Sequence, residues 1–161
     1  MATLSQFQIC SACLPDDLKI VHELFSDYIR SLDVDLSFQN VEHELAGLPG
    51  KYAPPEGMIL IAWSAERKPV GIVALRPTSA RGVCEMKRLY VKPAARGHVL
   101  GRRLAEHIIA CAHDMGYKRM LLDTLASMQA AQKLYAEIGF RPTEPYYNNP
   151  LPGTVYLALE L

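Results

Sequence analysis

Cys84-Glu85-Met86-Lys87-Arg88-Leu89-Tyr90-Val91-Lys92-Pro93-Ala94-Ala95-Arg96-Gly97-His98-Val99-Leu100-Gly101-Arg102-Arg103 is the stretch on which the reading of this 161-residue chain turns. It reads as a strand, a short loop and the start of a helix. Successive side chains of a strand point to opposite faces. Glu85, Lys87, Leu89 and Val91 therefore share one face, and Met86, Arg88 and Tyr90 the other. Pro93 has no N–H to give to a ladder, so the strand ends near Lys92. Apolar residues then recur at Leu100, Leu104, Ile108, Ala112 and Met115, the spacing of one helix face. A loop of backbone N–H groups followed by the positive end of a helix suits a phosphate. Arg96, Arg102 and Arg103 add positive charge there. The stretch points to a phosphate-bearing ligand held beside the end of a strand.

Outward from this stretch, the chain has the size of one ordinary domain over residues 1–161, and half of it is apolar, enough for a sizeable core. Its 17 basic and 17 acidic residues cancel, which gives no pull toward nucleic acid or an anionic membrane. No run approaches the roughly 18 apolar residues that read as a membrane span. The first residues lack the basic start and long apolar core of a secretion signal, so the expected location is cytoplasmic. Cys10 and Cys13 have the spacing of half a metal or redox site. No second pair follows, and two small thiols at the end of a first strand is the plainer reading. Cys84 and Cys111 fall in apolar patterns and read as buried, reduced thiols. His107 and Cys111 lie four apart on one helix, too few ligands for a metal.

Residues 7–12 make an opening strand. Pro15, followed by Asp16 and Asp17, marks a helix start, with Leu18, Val21, Phe25, Tyr28 and Leu32 at helical spacing. A second helix is expected over residues 38–48, and residues 47–57 break the pattern with three prolines. Residues 58–65 and 69–76 form a hairpin around Glu66-Arg67-Lys68. With the opening stretch, that makes three consecutive antiparallel strands. A helix to Met115, stopped by Gly116, leads to an apolar run over residues 117–125. This strand–helix–strand unit predicts one parallel pair with a right-handed crossover. Ser127 is the expected N-cap of a further helix, which Gly139 stops, and Phe140 opens another strand. Residues 141–152 form a loop rich in Pro and Asn, and Val155, Leu157 and Leu159 alternate in a last strand.

Glu85-Met-Lys-Arg-Leu-Tyr-Val91, Arg96-Gly-His-Val-Leu-Gly101-Arg-Arg-Leu104 and Leu134-Tyr-Ala-Glu-Ile-Gly-Phe140, in this order and context, resemble the GNAT superfamily of acetyl-CoA-dependent N-acetyltransferases. The resemblance is strongest over residues 85–140. It implies an α/β (α+β) fold: a mixed, mostly antiparallel sheet of six or seven strands, helices on both faces and a parallel pair at the cofactor site. It implies acetyl-CoA as cofactor. The backbone at Leu89, Tyr90 and Val91 would meet the pantetheine arm. The loop and helix start at Arg96, Gly97, His98, Val99, Leu100, Gly101 and Arg102 would hold the pyrophosphate of coenzyme A. Val99 stands where the family usually has glycine, and a valine gives its N–H comfortably only at negative φ. As a dinucleotide fingerprint the loop fails, because the third glycine and the downstream acid are missing.

The implied chemistry is attack of a neutral amine on a thioester. An alkyl ammonium titrates near pH 10, so freeing it at pH 7 costs about 4 kcal/mol. Glu85 occupies the position that holds the general base in some family members; its alternative is a strand carboxylate paired with a neighbouring cation. Tyr135 sits four residues before Gly139, as the family's general-acid tyrosine does; its alternative is core packing. Met128 stands where the family often has a cofactor-binding asparagine. Tyr146, Tyr147 and Asn148 fall in a loop that in this family borders the acceptor site or a homodimer partner. The expected acceptor is a primary amine of a small molecule or peptide. The competing reading is a non-catalytic acyl-CoA-binding or regulatory domain of the same fold.

Overall fold

The computed structural model describes residues 6–32, 34–35, 40–97 and 99–161. The elements run β1 (Phe7–Ser11), α1 (Leu18–Ser31), α2 (Val41–Ala46), a 3₁₀ turn (Gly50–Tyr52), β2 (Met58–Ser64), β3 (Pro69–Pro77), β4 (Val83–Val91), α3 (Leu100–Asp114), β5 (Arg119–Thr124), α4 (Gln129–Ile138), β6 (Arg141–Pro142) and β7 (Val155–Glu160). Seven strands form one sheet in the order β1-β2-β3-β4-β5-β7-β6. β4 and β5 are parallel, and the other neighbours are antiparallel. The mixed sheet with one parallel pair is the architecture expected from the strand–helix–strand unit.

Each sheet face carries its own core. On one face Leu60, Val73, Leu75, Cys84, Met86, Met120 and Leu122 pack under α3, whose Leu100, Leu104 and Ile108 point inward at the expected spacing. On the other, Val21, Leu24 and Phe25 of α1 cover Ile59, Ile61, Ile72, Ala74 and Tyr90. Gly57 tucks the 3₁₀ turn onto β2: a Cβ there would come within 2.4 Å of the Lys51 carbonyl oxygen.

Several boundaries depart from the sequence reading. The turn at Pro15 and Asp16 precedes the first helix rather than opening it, and α1 starts at Leu18. The second helix is a short Val41–Ala46, and Phe38, its expected start, lies outside the described residues. Met128, not Ser127, is the N-cap of α4 and makes no side-chain cap bond. Phe140 opens no strand. It is buried edge-on against Tyr135, with ring centroids 5.7 Å apart, and β6 follows it. Cys111 is half-buried rather than buried, and all four cysteines are free.

The largest correction concerns β4. Ile72 pairs with Tyr90 but Ala74 with Lys87, so Val73 alone opposes Arg88 and Leu89. This is a β-bulge, and Arg88 sits in it at φ 60°. The extra residue reverses the alternation. Leu89 and Val91 join Cys84 and Met86 on the α3 face, while Glu85, Lys87, Arg88 and Tyr90 share the opposite face. Simple alternation put Glu85 and Lys87 with Leu89 and Val91; the bulge separates them.

Candidate active site

The parallel ladder between β4 and β5 holds at Val83 with Arg119, Cys84 with Met120 and Glu85 with Leu121. β4 then runs on to Val91, paired to β3, and β5 to Thr124, paired to β7. Each strand follows its outer neighbour, and the bulge bends β4 away. The result is a fork whose β4 edge carries the backbone groups of Leu89, Tyr90 and Val91. A small cavity of about 40 Å³ lies in the fork, lined by Lys87 and Arg88 of β4, Asp123 and Thr124 of β5, and Tyr28 and Met128.

At the tip of β4 the chain turns through Pro93–Ala95 and enters α3. Arg96 Nε donates to the Val91 carbonyl at 3.0 Å, and its guanidinium lies 5.9 Å from the Tyr90 ring centre. Arg96 therefore ties the loop to the strand. Gly97 adopts φ 86°; a Cβ there would meet nothing within 4 Å, so the backbone angle rather than crowding favours glycine. Val99 adopts φ 52° and ψ 21° and is 69% exposed. The valine thus takes the left-handed conformation its side chain disfavours, at a cost of about 1–2 kcal/mol. Val99 is the N-cap of α3 and makes no side-chain cap bond. The helix ladder begins with Arg103 N–H to the Val99 carbonyl at 3.1 Å, so the amides of Leu100, Gly101 and Arg102 precede it. Arg102 turns along the helix, donating to Glu106 at 2.9 Å and Glu137 at 3.0 Å, and pins α3 to α4. His98 lies outside the described residues.

The charged face of β4 adjoins the fork. Glu85 is 4% exposed, and both its oxygens are held. Oε1 accepts from Arg76 Nε and pairs with Nη2, both at 3.0 Å, and Oε2 accepts from the Tyr146 hydroxyl at 2.6 Å. Lys87 Nζ stands 4.0 Å from Glu85 Oε2 and 3.8 Å from Asp123 Oδ1. Burial pulls the Lys87 pKa below the usual lysine range, against the opposing pull of Glu85 and Asp123. Asp123 accepts from the Tyr147 hydroxyl, and Asn149 Nδ2 donates to the Tyr147 oxygen at 2.8 Å. Arg88 pairs with Glu44 of α2 through Nε and Nη2, each at 3.1 Å. A second cavity, about 420 Å³, opens over this face, with Glu85, Lys87, Tyr146 and Tyr147 in its wall.

The fold thus gathers Glu85, Tyr146 and Tyr147 at one cavity and Leu89, Tyr90 and Val91 on the adjoining fork. In this network the bonds are made by Asn149, the neighbour of Asn148. Tyr135 lies apart from the cavity wall, packed in the α3-side core and 7% exposed. Burial, reinforced by Tyr28 and Asp123, pushes its phenol pKa above the ordinary range. Sequence reasoning missed Lys87, Asp123, Arg76 and Glu44. A readable signal existed for two of them: Lys87 lies in a strand that alternates charged and apolar residues, Asp123 ends the apolar run Met120–Leu122, and a buried charge needs a partner.

The acetyltransferase (GNAT) family model matches residues 19–140. An uncharacterised N-acetyltransferase of Schizosaccharomyces pombe is 44% identical over 157 residues, covering 98% of this chain and 96% of that protein. One of Dictyostelium discoideum is 30% identical, covering 91% and 94%. Among solved structures, yncA of Salmonella typhimurium, determined with its cofactor acetyl-CoA, superposes with a TM-score of 0.70 at 19% identity, over 96% of this chain and 93% of that one. Fold, motif order and extended sequence identity agree: the chain belongs to the acetyltransferase (GNAT) family of acyltransferase enzymes.

Proposed function

We propose that this protein transfers an acetyl group from acetyl-CoA to a primary amine of a small molecule or peptide, by direct attack of the amine. The observation that carries the reading is the junction of three features. The β4–β5 fork leads at one end to an uncapped helix start and opens at the other beside a cavity walled by Glu85.

These residues fit the cofactor. The amides of Leu100, Gly101 and Arg102, ahead of the α3 ladder and at its positive end, would hold the pyrophosphate, with Gly97, His98 and Val99 completing the loop. Arg96 would keep that loop in register with β4. The β4 edge at Leu89, Tyr90 and Val91 would pair with the amide groups of the pantetheine arm as a neighbouring strand does. Acetyl-CoA, when bound, supplies an acyl group activated as a thioester.

Glu85 is the group we assign to take the amine proton. Arg76 keeps its carboxylate fixed, and the Tyr146 hydroxyl on Oε2 offers a path from the cavity: the phenol oxygen accepts from the amine as its own proton passes to Glu85. Tyr135 is assigned as general acid. Burial raises its pKa, so the phenol stays protonated at neutral pH. The proposal takes residues 1–161 as one domain acting in the cytoplasm, a reducing compartment that suits four free thiols, with the Tyr146 loop also available to a homodimer partner.

The test is thiol release from acetyl-CoA by the purified protein across a panel of amines, with coenzyme A binding measured in parallel by calorimetry. Amine-dependent release supports the enzyme reading. Tight coenzyme A binding with no release on any amine returns the chain to the non-catalytic alternative.

A further inference from the structure

The 420 Å³ cavity carries more information than its adjacency to the fork. Lys87 lines both this cavity and the small one in the fork, so it marks the inner end, where the reacting amine would sit. Arg76, Lys51 and Ser79 also line it. The wall contains three cations, Lys51, Arg76 and Lys87, against one carboxylate, Glu85.

The acids near those cations are already engaged. Glu85 is held by Arg76 and Tyr146. Asp123 is held by Lys87, Tyr147 and Asn149. Glu44, which reaches Arg76 Nη1 at 3.6 Å, also accepts from the Tyr52 hydroxyl at 2.8 Å and pairs with Arg88. Lys51 has no ion-pair partner among the described residues. Its backbone is nonetheless fixed, because Gly57 packs against the 3₁₀ turn too closely to admit a Cβ and Tyr52 is buried in the core. Lys51 itself is exposed, so its ammonium reaches the cavity from a fixed backbone, and a cation facing a cavity whose acids are spent favours an anion as its partner. The same field disfavours acceptors that are purely cationic.

We propose that the acceptor is a primary amine that carries a carboxylate, of the amino-acid class, with its amine at the Glu85 end and its carboxylate read by Lys51 and Arg76. This rests on the acetyltransferase reading above and narrows its substrate class. Lys51 acts on specificity rather than on the acyl transfer.

The experiment compares matched acceptors, amino acids against their carboxamides, with spermidine as the cationic control. It uses the native chain and Lys51→Met; Arg76 is left intact because it also holds Glu85. The native chain is expected to favour carboxylates over carboxamides by about tenfold or more in kcat/KM, the size of one charge-assisted contact. In Lys51→Met that ratio should collapse toward one, with the KM for acetyl-CoA unchanged. A native preference for spermidine or for the carboxamides overturns the proposal, as does a ratio untouched by the substitution. Binding of the same pairs, followed by chemical-shift changes at Lys51, needs no turnover. If no amine is acetylated yet carboxylates alone shift Lys51, the ligand class stands and the enzyme reading falls; if neither member of any pair binds or reacts, the proposal falls.

Discussion

The two faces of β4 are equally buried and chemically opposite. Toward α3 the strand presents Cys84 at 0% and Met86 at 3% exposure; toward α1 and α2 it presents Glu85 at 4%, Lys87 at 7% and Arg88 at 6%. The apolar face lowers the free energy of the fold by leaving water. The charged face has no such gain, since taking ions out of water costs several kcal/mol each and the pairing at best offsets that. A network from Glu44 through Arg88, and from Arg76 through Glu85 and Lys87 to Asp123, keeps each charge matched. What distinguishes the faces is their neighbours: α3 covers one, while α1 and α2 share the other with two cavities. Burial alone therefore does not identify core; the chemistry of the buried group does.

Substitutions on each face should separate the two roles. The largest expected effect is on the charged face. Glu85→Gln should lower kcat/KM on the order of 10²–10⁴-fold, the usual contribution of a positioned base. Without the carboxylate the enzyme depends on amine already neutral in solution, a fraction that grows up to the amine's own pKa. The pH optimum should therefore move upward, which a kcat/KM profile over pH would show. An unchanged profile would exclude Glu85 as the base. On the apolar face, Met86→Ala should cost about 2–5 kcal/mol in urea unfolding, because a cavity is left in a close-packed core. Its kcat should change far less than that of Glu85→Gln.

A smaller effect is expected where β4 hands over to α3. Val99→Gly removes left-handed strain of about 1–2 kcal/mol and returns part of it as unfolded-state entropy. A net gain of up to about 1 kcal/mol corresponds to a rise in Tm of about 2–4 °C for a chain of this size. Coenzyme A should bind at least as tightly, since the loop amides are retained. The smallest effect is chemical. Burial pushes the Cys84 thiol pKa up to about 12, so at pH 8 its thiolate fraction is roughly 10⁻⁴. Iodoacetamide followed by mass spectrometry should label the exposed Cys13 readily and Cys84 only after denaturation.

Much of this arrangement was legible in the chain. The α3 face at Leu100, Leu104 and Ile108 followed from spacing, because a helix buries whatever recurs every three or four residues. The parallel pair followed from one strand–helix–strand unit, while Glu85, Tyr146 and Tyr147 were nominated by the family resemblance. Three things were not legible. Ser127 looked like an N-cap, yet Met128 holds that position, because cap preference is worth only about 1 kcal/mol and packing outweighs it. The chain left the φ of Val99 open, and the loop sets it at 52°. The face assignment of Leu89 and Val91 failed at the bulge.

Local periodicity and turn chemistry in the chain were enough to order the elements and to suggest a phosphate-type loop, because those features depend on near neighbours; the acyl-transfer centre was nominated by the family resemblance alone. The charge network needed the folded molecule. Glu44 and Asp123 lie far apart in sequence, and they reach β4 only through α2 and β5. The bulge is a mismatch between β3 and β4, a property of their pairing that neither strand reveals alone. That one unmatched residue sets which side chains of β4 face the core and which face the cavities, and so where chemistry is available.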